Sequence, residues 1–262
     1  MEVVMGLWTM AHLYQIAPTF LIMAILSAIA AKLLAKSKQS LKYLPLRIIA
    51  VTLLVLEVAK QIHSIGNDGS YNLYSLPFHY CSLFLYLLPF HAFYHGKYSY
   101  IPNAAAFSCL ASLTLDMLLM PAVIYSDSNI KNFFGGFGDF HTVFFHNLVV
   151  FYFMLTIALK LYEFRPKRDL KIVSIFLAVY VTVAAILSYS LKVNFHNLYK
   201  CNIGFIENVR TAAVNKIGIF GTLIYVSLLF ILTILFAYAA YFLARLIVNG
   251  INKIGKKKAV QG

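Results

Sequence analysis

Residues 217–247 read IGIFGTLIYVSLLFILTILFAYAAYFLARLI, and Arg245 is the one charge in the run. A helix rises about 1.5 Å per residue, so roughly 20 apolar residues cross the hydrocarbon core of a bilayer. This stretch is longer than a crossing requires and is expected to tilt or to protrude at its inner end. Six further apolar runs precede it, at about 13–35, 43–62, 76–94, 101–124, 142–162 and 172–191. Over its 262 residues the chain is 61% apolar and 12% charged, against about 25% charged in a soluble domain. That composition excludes a soluble globular enzyme, a disordered chain and a disulfide-stapled secreted module. It predicts an all-α fold, a polytopic membrane helix bundle of about seven transmembrane helices, with residues 1–262 as a single transmembrane domain. Pro77 and Pro102 fall in the first turns of the third and fourth runs, where a missing N–H costs little.

Loop charges orient the bundle. Segment 32–47 carries Lys32, Lys36, Lys38, Lys42 and Arg47 with no acid, and segment 160–171 is similarly basic. The tail carries Arg245, Lys253, Lys256, Lys257 and Lys258. With seven spans all three fall on one side, which places the N-terminus outside and the C-terminus inside. Glu2, with no Lys or Arg before the first apolar run, is the wrong charge for a secretory leader. One outer loop dissents: 192–216 holds Lys192, Lys200, Arg210 and Lys216 against Glu207, and is expected to lie on lipid or hold phosphate. The formal net charge of +13 fits anionic inner-leaflet lipids rather than nucleic acid. Lys256-Lys257-Lys258 reads as an inner-leaflet anchor, and a bacterial plasma membrane is the expected location.

Polar groups are costly in hydrocarbon and usually face the bundle interior. Glu57, His63, His79, Cys81, Asp116, His141, His146, Asn194 and His196 all fall toward the outer end of their spans. Histidines also favour interfaces, so no single one is decisive; their segregation is the signal. His91 and His95, at the inner end, are spaced for one helix face and read as helix C-terminal caps. Glu57, Lys60 and Gln61 share a face, with Glu57 and Lys60 spaced for a local ion pair. Cys81 is expected about five residues below the start of the third helix, near the depth of phospholipid ester groups. A thiol there has two readings: a small buried side chain, or a nucleophile whose base comes from another helix. His79, two residues away, is expected to point elsewhere. His146 is the first choice of base and His141 the second, with Asp116 or Asn147 orienting the imidazole. Cys81 and Cys201, both placed outside, are also candidates for a disulfide.

The run Leu76-Pro77-Phe78-His79-Tyr80-Cys81 resembles the Leu-Pro-Leu-His-Leu-Cys signature of the YwaF-like integral membrane family. Pro89, Leu118-Leu119-Met120-Pro121 and the Phe140-His141 to Phe145-His146-Asn147 stretch are similar too, so the resemblance covers roughly residues 40–205. Ala122 stands where the family has Asp, and Asn194 to Tyr199 match its Asn-Tyr-rich stretch only loosely. Animal relatives include a cysteine-dependent acyltransferase acting on ether lysophospholipids. The resemblance thus implies a lipid acyltransferase or acyl hydrolase. Cys81 takes the acyl chain as a thioester, His146 is its partner, membrane phospholipid and lysophospholipid are the substrates, and no cofactor is required.

Two other classes remain open. His79, His141, His146 and Asp116 are ligand types for a zinc-dependent lipid hydrolase, although no His-x-x-x-His pair occurs in the outer layer. A transporter or receptor would use the polar outer half as a solute site, but no inverted repeat or paired broken helix is evident. A retinal protein is excluded because no Lys occurs from Ile217 to Asn252.

Overall fold

The computed structural model describes residues 8–66, 71–201 and 204–261, with side chains to residue 253. Glu2 and the side chains of Lys256, Lys257 and Lys258 lie outside the described residues. The longer helices are α1 (Met10–Leu33), α2 (Leu44–Gly66), α3 (Leu83–Phe93), α4 (Tyr100–Leu119), α5 (Phe137–Ala158), α6 (Pro166–Leu191), α7 (Gly204–Ile217) and α8 (Ile219–Gln261). The fold is an all-α polytopic bundle, and six of these helices are long and apolar enough to cross a membrane.

The expected third span is the exception. Only Leu83–Phe93 is α-helical, entered by a 3-10 turn over Tyr80–Ser82, so Pro77 precedes the helix rather than opening it. The segment still traverses the bundle. At its outer end Gln61 donates to the Ser75 carbonyl at 2.8 Å; at its inner end Arg47 donates to the Ala92 carbonyl at 3.1 Å. Both partners sit on α2, fourteen residues apart, a rise of about 21 Å. Other boundaries shift as well. α4 stops at Leu119, because Pro121 has no N–H to continue the ladder, and a separate turn runs Pro121–Ile124. α6 begins at Pro166, six residues before the expected start. α8 runs well past its expected end, to Gln261.

α4 is the central helix, in contact with α3, α5, α6 and α8. Its sequence explains the position: Ala104, Ala105, Ala106, Ser108, Cys109, Ala111 and Ser112 are all buried, and small side chains let neighbouring backbones approach. The hydroxyls of Ser108 and Ser112 bond back to the Ala104 and Ser108 carbonyls, so neither is left unsatisfied. The inner end is fastened by Asp169, which is fully buried. Its carboxylate accepts from Tyr162 and Tyr241 hydroxyls at 2.7 Å, from the Arg165 N–H at 2.7 Å, and from the Arg168 guanidinium at 2.9 Å. One side chain thereby ties the α5–α6 loop and α8 to the start of α6.

The dissenting outer loop forms α7, folded back on α8. Gly218, at φ +56°, makes the reversal, and a Cβ on Gly221 would lie 2.6 Å from the Ala213 backbone. Arg210 is spent internally: its guanidinium meets Glu207, which also accepts the Cys201 N–H at 2.7 Å. The Arg210 hydrogen bond is the main reason the Glu207 carboxyl is held down at about 2.

Two outcomes follow from these ties. Asp169→Ala strands buried donors and costs about 3–5 kcal/mol, lowering the thermal midpoint in detergent, while Asp169→Asn, which still accepts, costs less. Because folding depresses the Glu207 pKa, its stabilisation is fully present above the ordinary carboxylate range of about 4.3 and is lost as pH falls through about 2. The hydrogen-exchange protection factor across residues 204–217, corrected for the intrinsic pH dependence of exchange, is therefore flat from neutral pH to about 4.5 and falls below it, whereas Glu207→Gln shows reduced protection already at neutral pH.

Candidate functional site

Cys81 lies in the 3-10 turn, partly exposed, with a free thiol that is not joined to Cys201. The sequence forces this irregularity: Pro77 holds the preceding Leu76 in an extended conformation and denies the segment a helical start. Tyrosines of α6 and of α3 itself hold the turn. The Tyr180 hydroxyl of α6 donates to the His79 carbonyl at 2.6 Å, and the Tyr86 hydroxyl donates to the Pro77 carbonyl at 3.1 Å. The first N–H groups of the turn have no helical acceptor, which leaves donors beside the thiol.

The expected face arithmetic for His79 and Cys81 does not apply, since the backbone there is not a regular helix. His79 is extended and its Nε2 donates to the Tyr74 carbonyl at 2.9 Å, with its ring edge-on to Phe195. The ring is engaged by Tyr74 and Phe195, and no hydrogen bond joins it to Cys81 among the described residues. Phe195 belongs to the stretch that matched the family only loosely. That stretch folds onto the Cys81 turn: fully buried Phe195 meets Phe78, and His196 stacks on Tyr80 with centroids 5.3 Å apart. His196 and Asn197 both hold left-handed backbone, φ +51° and +56°, a conformation that persists in non-glycine residues where the surroundings impose it.

On α2, Lys60 and Glu57 form the expected ion pair at 2.8 Å. Gln61 donates to Glu57 and accepts from the Tyr71 hydroxyl. The Lys60 ammonium lies at the same bundle end as Cys81, His79, His141 and His146, and shares a cleft with His141. A cleft of about 280 Å³ reaches Lys60 from the outer end, with His63, Ser75, His141 and Thr142 on its walls. His141 is buried, and its Nε2 has no hydrogen-bond partner among the described residues.

His146 Nδ1 lies 2.6 Å from the Thr142 carbonyl. A carbonyl only accepts, so Nδ1 carries the proton and Nε2 keeps the lone pair. Thr142 is therefore the orienting group, in place of Asp116 or Asn147. Asn147 bonds the Val143 carbonyl instead, and its buried Oδ1 is unpartnered. Asp116 ends up within one turn of the α4 terminus, facing Tyr80, whose phenol reaches Ser112 and Cys109. No hydrogen bond joins Cys81 to His146 among the described residues.

Two participants escaped the sequence reading. His12 of α1 is fully buried, with Nε2 2.9 Å from the Tyr125 carbonyl and Nδ1 beside Thr9 and Asp127. Tyr125 packs against both His12 and His146 and donates to Gln15 at 2.7 Å. The Thr9-x-x-His12 spacing at the head of an apolar run was the available signal, since it forms a capping box. At the inner end the reading of His91 as a cap is corrected. His91 is buried and bonds the Tyr152 hydroxyl at 2.6 Å, while His95 meets Arg47 at 3.2 Å.

On the flank between α1 and α5 a groove of about 450 Å³ runs past Met23, Phe133, Phe144 and Phe151, with Gln15 and Asn147 as its polar floor. Among the described residues no three His, Cys, Asp or Glu gather as metal ligands, so the zinc reading has no ligand set. A family model described as the TMEM164 family matches residues 7–241. No curated protein and no solved structure matches the chain.

Proposed function

The chain belongs to the TMEM164 family, and we propose that it is a membrane-embedded lipid acyltransferase or acyl hydrolase with Cys81 as nucleophile. The observation that carries this reading is the helix break at Tyr80–Ser82. It sets a free, partly exposed thiol at the bundle end where Lys60, His79, His141 and His146 also gather. The thiolate is the reactive form, so a thiol at this position needs a base from another element to take its proton.

In the proposed reaction the Cys81 proton passes to His146 Nε2 through one bridging water, because no direct bond joins the two. The sulfur attacks the ester carbonyl carbon of a phospholipid, and the turn's N–H donors receive the developing oxyanion. The ester C–O bond breaks, the imidazolium returns its proton to the departing lysophospholipid oxygen, and an acyl thioester remains. A second lysophospholipid hydroxyl, or water, gives its proton to His146 and displaces the sulfur, which regenerates the thiol. The groove between α1 and α5 suits an acyl chain, being apolar along its walls.

The test is labelling with a thiol-reactive acyl analogue in lipid. Cys81→Ala abolishes labelling while leaving the thermal midpoint within a few degrees, and His146→Gln slows thioester formation about a hundredfold. His95→Gln, at the far end, leaves the rate unchanged. Retained labelling in Cys81→Ala removes the nucleophile assignment.

A further inference from the structure

We propose that the inner end of the bundle carries a binding site for the phosphate of an anionic phospholipid headgroup, held by Lys160 and Arg245. A cavity of about 400 Å³ lies between the end of α5, the α5–α6 loop and α8, within the size range of small-ligand sites. Its floor is Phe107 and Tyr162, stacked 3.9 Å apart, and its polar walls include Lys160, Arg245 and Asn249.

The structure sorts the basic residues of this region into spent and unspent charges. Arg165 is paired with Glu163 at 3.1 Å, so the one acid on the cavity wall is already neutralised. Arg168 is committed to Asp169 and to the face of Tyr100. Lys167 and Lys171 are exposed and do not line the cavity. Lys160 and Arg245 line it and make no ion pair or side-chain hydrogen bond among the described residues. Two cations facing one cavity without an anion between them are a recognition pattern for phosphate.

The backbone gives a second, independent reason. α5 ends in a turn in which the Leu161 N–H bonds the Thr156 carbonyl and the Lys160 N–H bonds the Ile157 carbonyl, both at 3.0 Å. Lys160 occupies the left-handed position of that motif, at φ +54°, where glycine is the favoured residue. A lysine there gives up backbone ease and places an ammonium at the mouth of the cavity. The ammonium also lies near the carbonyl end of α5, a placement that is favourable by itself, so the test must separate binding from helix capping.

A lipid is the occupant argued for. The cavity adjoins the inner ends of α5 and α8, and toward the bilayer centre α8 exposes Leu235, Phe242 and Leu243, along which an acyl chain can run. The site stands apart from Cys81 and does not depend on the proposed chemistry.

The experiment measures thermal midpoints of the full chain in detergent titrated with phosphatidylglycerol, phosphatidylcholine or soluble glycerol 3-phosphate. Phosphatidylglycerol is expected to stabilise the wild type most. Lys160→Gly relieves the left-handed strain, so its lipid-free midpoint holds or rises, yet its apparent affinity for phosphatidylglycerol falls about tenfold, about 1.4 kcal/mol. Arg245→Gln loses a similar factor, and Lys167→Gln with Lys171→Gln loses none. The proposal is overturned if the Lys160→Gly, Arg245→Gln double variant responds like wild type. It is equally overturned if the Lys167→Gln, Lys171→Gln pair weakens the response as much, which marks diffuse surface charge. Equal stabilisation by glycerol 3-phosphate at matched concentration overturns the lipid assignment in favour of a soluble phosphate.

Discussion

Inside hydrocarbon a backbone N–H or C=O cannot turn to water, so a crossing segment must satisfy its own polar groups or be covered by protein. That constraint governs this molecule. Six helices obey it outright, and the third crossing departs from it over residues 76–82, where the chain is extended and then forms a single 3-10 turn. The departure is tolerated because side chains take over the missing ladder: Tyr180 bonds the His79 carbonyl and Tyr86 the Pro77 carbonyl. Aromatic residues from the 195–199 stretch close over the turn. The irregular backbone and its cover are what place Cys81 at a sheltered, donor-rich position.

Buried polar groups in the bundle are handled in two ways. At the inner end Asp169 is saturated, and five donors converge on it. It functions as a fastening, since every lone pair is engaged and nothing is left to react. Elsewhere satisfaction is incomplete: among the described residues His141 Nε2 and Asn147 Oδ1 toward the outer end, and His91 Nε2 and Asn103 Oδ1 toward the inner end, are buried without partners. Unpaired polar atoms in a buried layer carry a cost, and such a cost is commonly retained where a ligand completes the pairing.

Much of the fold was legible because hydropathy and loop charge are one-dimensional signals. Six of the seven apolar runs correspond to helices long and apolar enough to cross a membrane, and the ion pair of Glu57 with Lys60 follows from its spacing. Boundaries were less legible. The break before α3 and the stop at Leu119 both depend on proline, whose effect on a neighbouring turn is decided by what can cover the freed carbonyls. The site was legible in membership and not in wiring. Cys81, His79, His141 and His146 do share one end of the bundle, but the Thr142 carbonyl orients His146, and His12 and Tyr125 complete its surroundings. A backbone carbonyl carries no residue-type signature, and His12 sits in a run whose hydropathy masks it.

The sequence by itself determined that the chain is an integral membrane helix bundle and that Cys81, His79, His141 and His146 lie toward one end of it. Those follow from transfer free energies, which add residue by residue along the chain. Tertiary structure alone decided that Cys81 occupies a 3-10 turn and that Arg210 is consumed by Glu207. It also left Lys160 and Arg245 facing an open cavity. Each of these turns on whether two groups far apart in the chain meet within hydrogen-bond distance, and no local pattern encodes that distance.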